Sequence, residues 1–146
     1  FPVGRLDMDT GGALLLTDDG DLAYRLTHPK YGVDKSYRVG LERQPSTAAM
    51  SKLKGGILFE GKKTSPANVS VVGAGREGTE IQIVIHEGRN RQVRKMCEAV
   101  GYPAIWLERN AFAGITVDDL ARGAWRHLRE DEIAKLKASV QMEGTS

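Results

Sequence analysis

Hydrophobic positions recur with two different periods along this chain. From Ser36 to Leu41, and again from Thr79 to Glu87, apolar residues alternate with polar ones: Tyr37, Val39 and Leu41 in the first stretch, Ile81, Ile83 and Ile85 in the second. A period of two puts every second side chain on one face, which predicts half-buried strands. Elsewhere the spacing is three to four. Val93, Met96, Cys97 and Val100 share one stripe of a helix predicted from about Asn90 to Val100, with Gly101 beyond its end. Ile133, Leu136 and Val140 form the apolar side of another, Glu130 to Val140. A third is predicted over Thr47 to Lys54, capped by Ser46 and ended by Gly55-Gly56. A short fourth covers Leu22 to Leu26, its start favoured by Asp21 and its end forced by His28-Pro29.

Shorter apolar runs at 13–17, Ile57–Phe59, Ala67–Val72, Ile105–Leu107 and Ile115–Val117 read as further strands. A Gly-rich hairpin connection is expected from Ala74 to Gly78, and a frayed tail from Gln141 to Ser146. Strands and helices interspersed with hairpin-length connections predict an α+β fold, a mixed and mostly antiparallel sheet flanked by helices. At 146 residues the chain suits one domain with a real core. No apolar stretch approaches the roughly 20 residues of a spanning helix, and Phe-Pro-Val-Gly-Arg-Leu-Asp lacks the pattern of a signal peptide. A single cysteine, Cys97, excludes an intramolecular disulfide and fits a reducing cytoplasm; on an apolar helix face it reads as a small core residue.

Net charge is only +2, so the placing of charge matters more than its total. Cations gather at Lys30, Lys35 and Arg38, at Lys52, Lys54, Lys62 and Lys63, and most densely at Arg89, Arg91, Arg94 and Lys95. Acids gather elsewhere, at Asp18, Asp19 and Asp21 and at Glu130, Asp131 and Glu132. Arg91, Arg94 and Lys95 lie at i, i+3 and i+4, one face near a helix start. Cations are misplaced there unless an anion, phosphate or carboxylate, is bound. The plainer reading is a solvated helix face.

Asp7 precedes a Gly-rich turn. With Asp9, Gly12 and Asp18 it resembles a calcium loop, but Gly11 supplies no ligand, Asp18 is shorter than the required Glu, and leucines fill the second half. Asp7 or Asp9 capping a turn is the simpler alternative. Tyr37, between Lys35 and Arg38, reads by default as core, and also as an aromatic able to stack on a base. Trp106, Trp125 and Phe112 read as packing residues. His28, His86 and His127 have no ligand spacing, so no metal is assigned. Walker, Rossmann and Ser/His/Asp patterns are absent from the sequence.

In combination these segments resemble successive motifs of bacterial RNA pseudouridine synthases, above all the Rsu type that modifies ribosomal RNA. They are Gly4-Arg5-Leu6-Asp7-x-x-Thr10-x-Gly12, Leu14-Leu15-Leu16-Thr17-x-Asp19-Gly20, His28-Pro29, Lys35-x-Tyr37, Glu87 through Met96, Val100-Gly101, Leu107-Glu108-Arg109 and Gly123-x-Trp125-Arg126-x-Leu128. The resemblance covers nearly the whole chain. It implies that Asp7 is the catalytic aspartate, Tyr37 the aromatic that stacks on the target base and Arg94 the cation paired with Asp7. It further implies RNA contacts from Arg5, Lys30, Lys35, Arg89, Arg91 and Lys95, no cofactor and no metal. The substrate would be a uridine in ribosomal RNA, with the large subunit (23S) preferred, and the enzyme a cytoplasmic monomer. The chain opens almost on its main motif, so residues 1–146 are expected to be part of the catalytic domain, without the family's N-terminal S4-like RNA-binding domain and the first stretch of the catalytic fold. A non-catalytic RNA-binding or ribosome-assembly module on the same scaffold is the alternative.

Overall fold

The alternating stretches become the centre of one sheet. The computed structural model describes residues 2–75 and 78–142. In chain order its strands are β1 (Pro2–Val3), β2 (Gly11–Gly12), β3 (Leu15–Leu16), β4 (Lys35–Leu41), β5 (Leu58–Phe59), β6 (Lys62–Lys63), β7 (Asn68–Gly75), β8 (Gly78–Ile85), β9 (Trp106–Phe112) and β10 (Ile115–Thr116). The helices are α1 (Gly20–Thr27), α2 (Thr47–Gly55), α3 (Gln92–Ala99) and α4 (Glu130–Ser139). The main sheet runs β10-β9-β4-β8-β7, all antiparallel, with β2 added in parallel to the outer edge of β9. Two small hairpin-like pairs, β1 with β3 and β5 with β6, flank it. The mixed, mostly antiparallel α+β architecture is the predicted one.

Two apolar clusters hold the elements together. The first is the aliphatic face of β4, β7 and β8 under α2 and α3, where Val39, Leu41, Leu53, Ile81, Ile83, Met96 and Cys97 are buried. Each side chain of this size contributes about 1.5–3 kcal/mol by leaving water. Burial pushes the Cys97 thiol up to about 12, so it is inert packing material. The second cluster joins β1, α1, β9, β10 and α4 through Val3, Leu22, Leu26, Phe112, Ile115, Leu136 and Val140.

Local signals act as read at most helix ends. Ser46 accepts from the Ala49 N–H to cap α2, and Gly56 ends it in a positive-φ conformation. At α1 the cap is Asp19, which accepts from Leu22 N–H, and Asp21 sits inside the first turn. Five expectations change. Strand β9 continues through Glu108-Arg109-Asn110 to Phe112, because Arg109 turns inward and is buried. Only Leu15–Leu16 of the 13–17 run pairs as a strand. Ile133 stays exposed while Leu136 and Val140 are buried, and Trp125 is 74% exposed. The tail is ordered through Met142, whose N–H donates to the Lys137 carbonyl, while Arg25 grips the carbonyls of Val140 and Gln141. The tip of the Ala74–Gly78 connection and the tail beyond Met142 lie outside the described residues.

Candidate active site

The loop carrying Asp7 is pinned at both ends. Upstream, β1 pairs with β3, and Gly4 turns the chain at φ +69°. Downstream, β2 pairs with β9. Gly12, at φ +111°, lies so close to the Arg109 backbone that a Cβ would collide with its carbonyl. Between these anchors the Thr10 N–H donates to the Asp7 carbonyl at 3.0 Å and closes a turn. The turn presents the Asp7 side chain, about one quarter exposed, to a cleft of about 270 Å³. The cleft lies along the seam of the two clusters, with Leu26, Val33 and Phe112 from one and Ile85, Val93 and Leu107 from the other.

One wall of the cleft is the start of α3. β8 ends at Ile85, ahead of Gly88, and a side-chain relay then sets the turn: Gln92 accepts from the Arg89 N–H and donates to Glu87, whose carboxylate also accepts from Ser65 N–H and Oγ. Burial pushes the Glu87 carboxyl up, but the bonds from Ser65 and Gln92 outweigh it and the net shift is downward. Arg89 donates to the carbonyls of Lys62 (2.8 Å) and Phe59 (2.6 Å) and stacks on the Phe59 ring, so it clamps the β5–β6 hairpin. Lys95 ion-pairs with Glu60 in the same hairpin.

Arg91 precedes the helix in a left-handed conformation, φ +53°, which carries its side chain back over the Asp7 loop. There it forms a two-pronged pair with Asp9, at 3.0 and 2.7 Å, and stands 3.8 Å from Asp7. Arg94 donates to the Asp9 backbone carbonyl at 2.5 Å and approaches its carboxylate at 3.4 Å. The anticipated Arg94–Asp7 pair is therefore not formed. Arg94 meets Asp9, two residues along, and Arg91 is the cation that reaches Asp7. Asp9 is also the anion that the misplaced cations at the helix start required. Hydrogen bonds from Arg91, opposed by burial and aided by the charge of Arg94, hold the Asp9 carboxyl at about 2.

The facing wall is formed by β4 and β9. Tyr37 is half-buried, packs on the first cluster and lines the cleft, so the core reading and the cleft reading both apply. Lys35 points toward the Glu87 carbonyl, 3.4 Å away. Arg109, earlier a motif marker with no role, lines the floor. The partial signal was its spacing: Leu107 and Arg109 are alternate residues of one strand face, and a cation on that face needs a reason; the inward Phe112 breaks the alternation where the β4–β9 register shifts. Arg5 is exposed at the rim. Lys30 is exposed outside the cleft lining, its ammonium 5.0 Å from the Tyr31 ring. The structure thus gathers Asp7, Tyr37, Lys35, Arg5, Arg89 and Arg91 around one cleft, and leaves Lys30, Arg94 and Lys95 behind or beside it. Among the described residues no three His, Cys, Asp or Glu side chains cluster as a metal site, and no helix is long and apolar enough to cross a membrane.

Known proteins share this arrangement of motifs and fold. The RNA pseudouridylate synthase family matches residues 1–99. Over 140 residues the chain is 43% identical to the ribosomal large subunit pseudouridine synthase B of Bacillus subtilis, covering 94% of this chain and 57% of that protein. Over 136 residues it is 39% identical to the ribosomal small subunit pseudouridine synthase A of Escherichia coli, covering 91% and 57%. A crystal structure of a pseudouridylate synthase superposes with a TM-score of 0.84 at 35% identity, over 92% of this chain and 58% of that one. The chain spans somewhat over half the length of these relatives.

Proposed function

The chain belongs to the RNA pseudouridylate synthase family, and from that premise we propose that it isomerises a uridine of ribosomal RNA to pseudouridine in the cytoplasm, with Asp7 as the reacting carboxylate. One observation carries the reading. Asp7 is held by a doubly anchored loop at a cleft that also presents Tyr37, while the neighbouring acid, Asp9, is consumed by Arg91 and Arg94. Of the two carboxylates in the loop, Asp7 is the one left open to a ligand. The reaction exchanges the C1′–N1 bond for a C1′–C5 bond, with no redox change and no group from outside, so the chemistry asks for a positioned carboxylate and a held base.

The uridine has to leave its stack, which costs a few kcal/mol. Tyr37 offsets part of this by stacking, worth about 1–3 kcal/mol. The carboxylate of Asp7 then either attacks C1′ or takes the C2′ proton. Arg91, 3.8 Å away, supplies the cation beside it that the Arg94 pairing was expected to supply. Exposed cations at the rim and flank, Arg5, Lys30, Lys62 and Lys63, suit phosphates. Both large- and small-subunit synthases are among the relatives. The large-subunit RNA is favoured here by the higher identity, 43% against 39%.

The test is to incubate the protein with transcribed large- and small-subunit RNA and map carbodiimide-dependent reverse-transcriptase stops. A new stop at one uridine of the large-subunit RNA is the expected result. RNA binding with no stop in either RNA would leave a binding module on the same scaffold.

A further inference from the structure

Arg109 is 3% exposed, and its guanidinium is held by a carbonyl and an aromatic ring. Its Nε and Nη2 donate to the Ala13 carbonyl at 3.0 and 2.8 Å, and its guanidinium lies 4.7 Å from the centre of the Phe112 ring. Among the described residues no carboxylate forms an ion pair with it. Lys35 stands beside it, with Nζ 6.0 Å from the same ring and 3.4 Å from the Glu87 carbonyl, and it too has no ion pair among the described residues. The Glu87 carboxylate is nearby but is taken up by Ser65 and Gln92. A buried, uncompensated cation is costly, and a second, half-buried one beside it adds to the cost. Burial and the repulsion of Arg109 hold the Lys35 ammonium below the usual lysine range, with Glu87 opposing only in part. Both cations line the cleft that holds Asp7 and Tyr37.

Building on the proposed reaction, we infer that Lys35 and Arg109 form an anion pocket for the uracil ring during the interval when it is detached from the sugar. When the C1′–N1 bond breaks, the bonding pair stays on N1 and spreads over O2 and O4. The ribose compensates either by forming a C1′–O bond to Asp7 or by giving its C2′ proton to Asp7 and forming a C1′=C2′ double bond. The ring turns, C5 attacks C1′, and Asp7 returns the bond or the proton it held. The C5 proton then leaves and N1 takes up a proton, through solvent, which restores the aromatic ring and balances the isomerisation. Between cleavage and rejoining the base is an anion. The cations placed at the floor before it forms stabilise that charge without reorganising. A phosphate fits this location less well, because Arg109 is buried and the exposed cations stand at the rim.

Arg109 also holds Ala13, so Lys35 carries the test. Single-turnover disappearance of the target nucleoside is measured in nuclease digests for wild type, Lys35→Met and Lys35→Arg, with uridine or 5-fluorouridine at the target. RNA affinity is measured across a salt series in parallel. Lys35→Met is expected to slow conversion about 10²–10³-fold, the range for removing one preorganised charge-stabilising donor, with affinity and salt slope nearly unchanged. Lys35→Arg should recover at least about tenfold of that loss. Fluorine stabilises the departing anion, so it should speed Lys35→Met more than wild type. Turnover of Lys35→Met within a few-fold of wild type, or an equal fluorine effect in both, overturns the anion pocket while the wild-type activity keeps the proposed function. Weakened affinity with a shallower salt slope also overturns it, by making Lys35 a phosphate contact. A wild type inactive on both ribosomal RNAs sinks the function and the pocket together.

Discussion

The two walls of the cleft carry their cations under opposite conditions. Along the start of α3, Arg89 is engaged by the carbonyls of Phe59 and Lys62, Arg91 and Arg94 by Asp9, and Lys95 by Glu60. Three of these four cations meet a carboxylate directly. Arg89, held by carbonyls and the Phe59 ring, still helps lower the carboxyls of Glu60 and Glu87 by its charge, so that wall is largely balanced. Across the cleft, Lys35 and Arg109 meet, among the described residues, carbonyls and an aromatic ring and no carboxylate. The density of cations in the sequence is thus a poor guide to which of them await a partner. The dense run is a clamp that fastens the Asp7 loop and the β5–β6 hairpin to one helix, and the sparse pair is the wall short of negative charge.

The largest expected effect comes from breaking the unbalanced wall. Arg109→Met leaves the Ala13 carbonyl buried without its donors and should destabilise the protein by about 2–3 kcal/mol, read as a lower midpoint in urea unfolding. A change under about 0.5 kcal/mol would mean that β2 is held without Arg109.

A smaller, opposite effect is expected on the balanced wall. Asp9→Asn frees Arg91 from its two-pronged pair while Arg94 keeps the Asp9 carbonyl, so RNA affinity at low salt should rise several-fold and the salt slope should steepen by about 0.7 for an added phosphate contact. Weaker binding would show that the pair positions the Asp7 loop for RNA. The same variant should flatten the acid response. The Asp9 carboxyl sits at about 2 in the fold against 3.8 for the free group. Its stabilising contribution is therefore complete above about pH 4 and lost as pH falls toward 2. Glu132, held at about 2 chiefly by Arg126, behaves likewise and keeps part of the acid response in Asp9→Asn. Thermal melts from pH 2 to 6 separate the two carboxylates.

Much of the fold was legible because local signals and burial agreed. Val39, Ile81, Ile83 and Met96 sit in the core that their periodicity implies, and Ser46 and Gly56 end α2 as capping chemistry requires. What failed depended on contacts distant in sequence. Arg109 hid the second half of strand β9, beyond the predicted Ile105–Leu107, because a buried arginine makes sense only once the Ala13 carbonyl, 96 residues away, is known to face it. Ile133 matches the spacing of Leu136, but α4 covers the second cluster with too narrow a stripe to include it. At the site, the motif identified the loop and the helix but not which acid meets which arginine. Asp7 and Asp9 are two residues apart, and the left-handed turn at Arg91 decides the pairing.

On the proposed function these two acids divide the labour, Asp7 for chemistry and Asp9 for structure. Pseudouridine formed per ribosomal RNA molecule, compared side by side for Asp7→Asn and Asp9→Asn, tests that division most directly. No product is expected from Asp7→Asn, with RNA affinity within a few-fold of wild type, and substantial product is expected from Asp9→Asn. Turnover near wild type in Asp7→Asn, or a loss confined to Asp9→Asn, would contradict it.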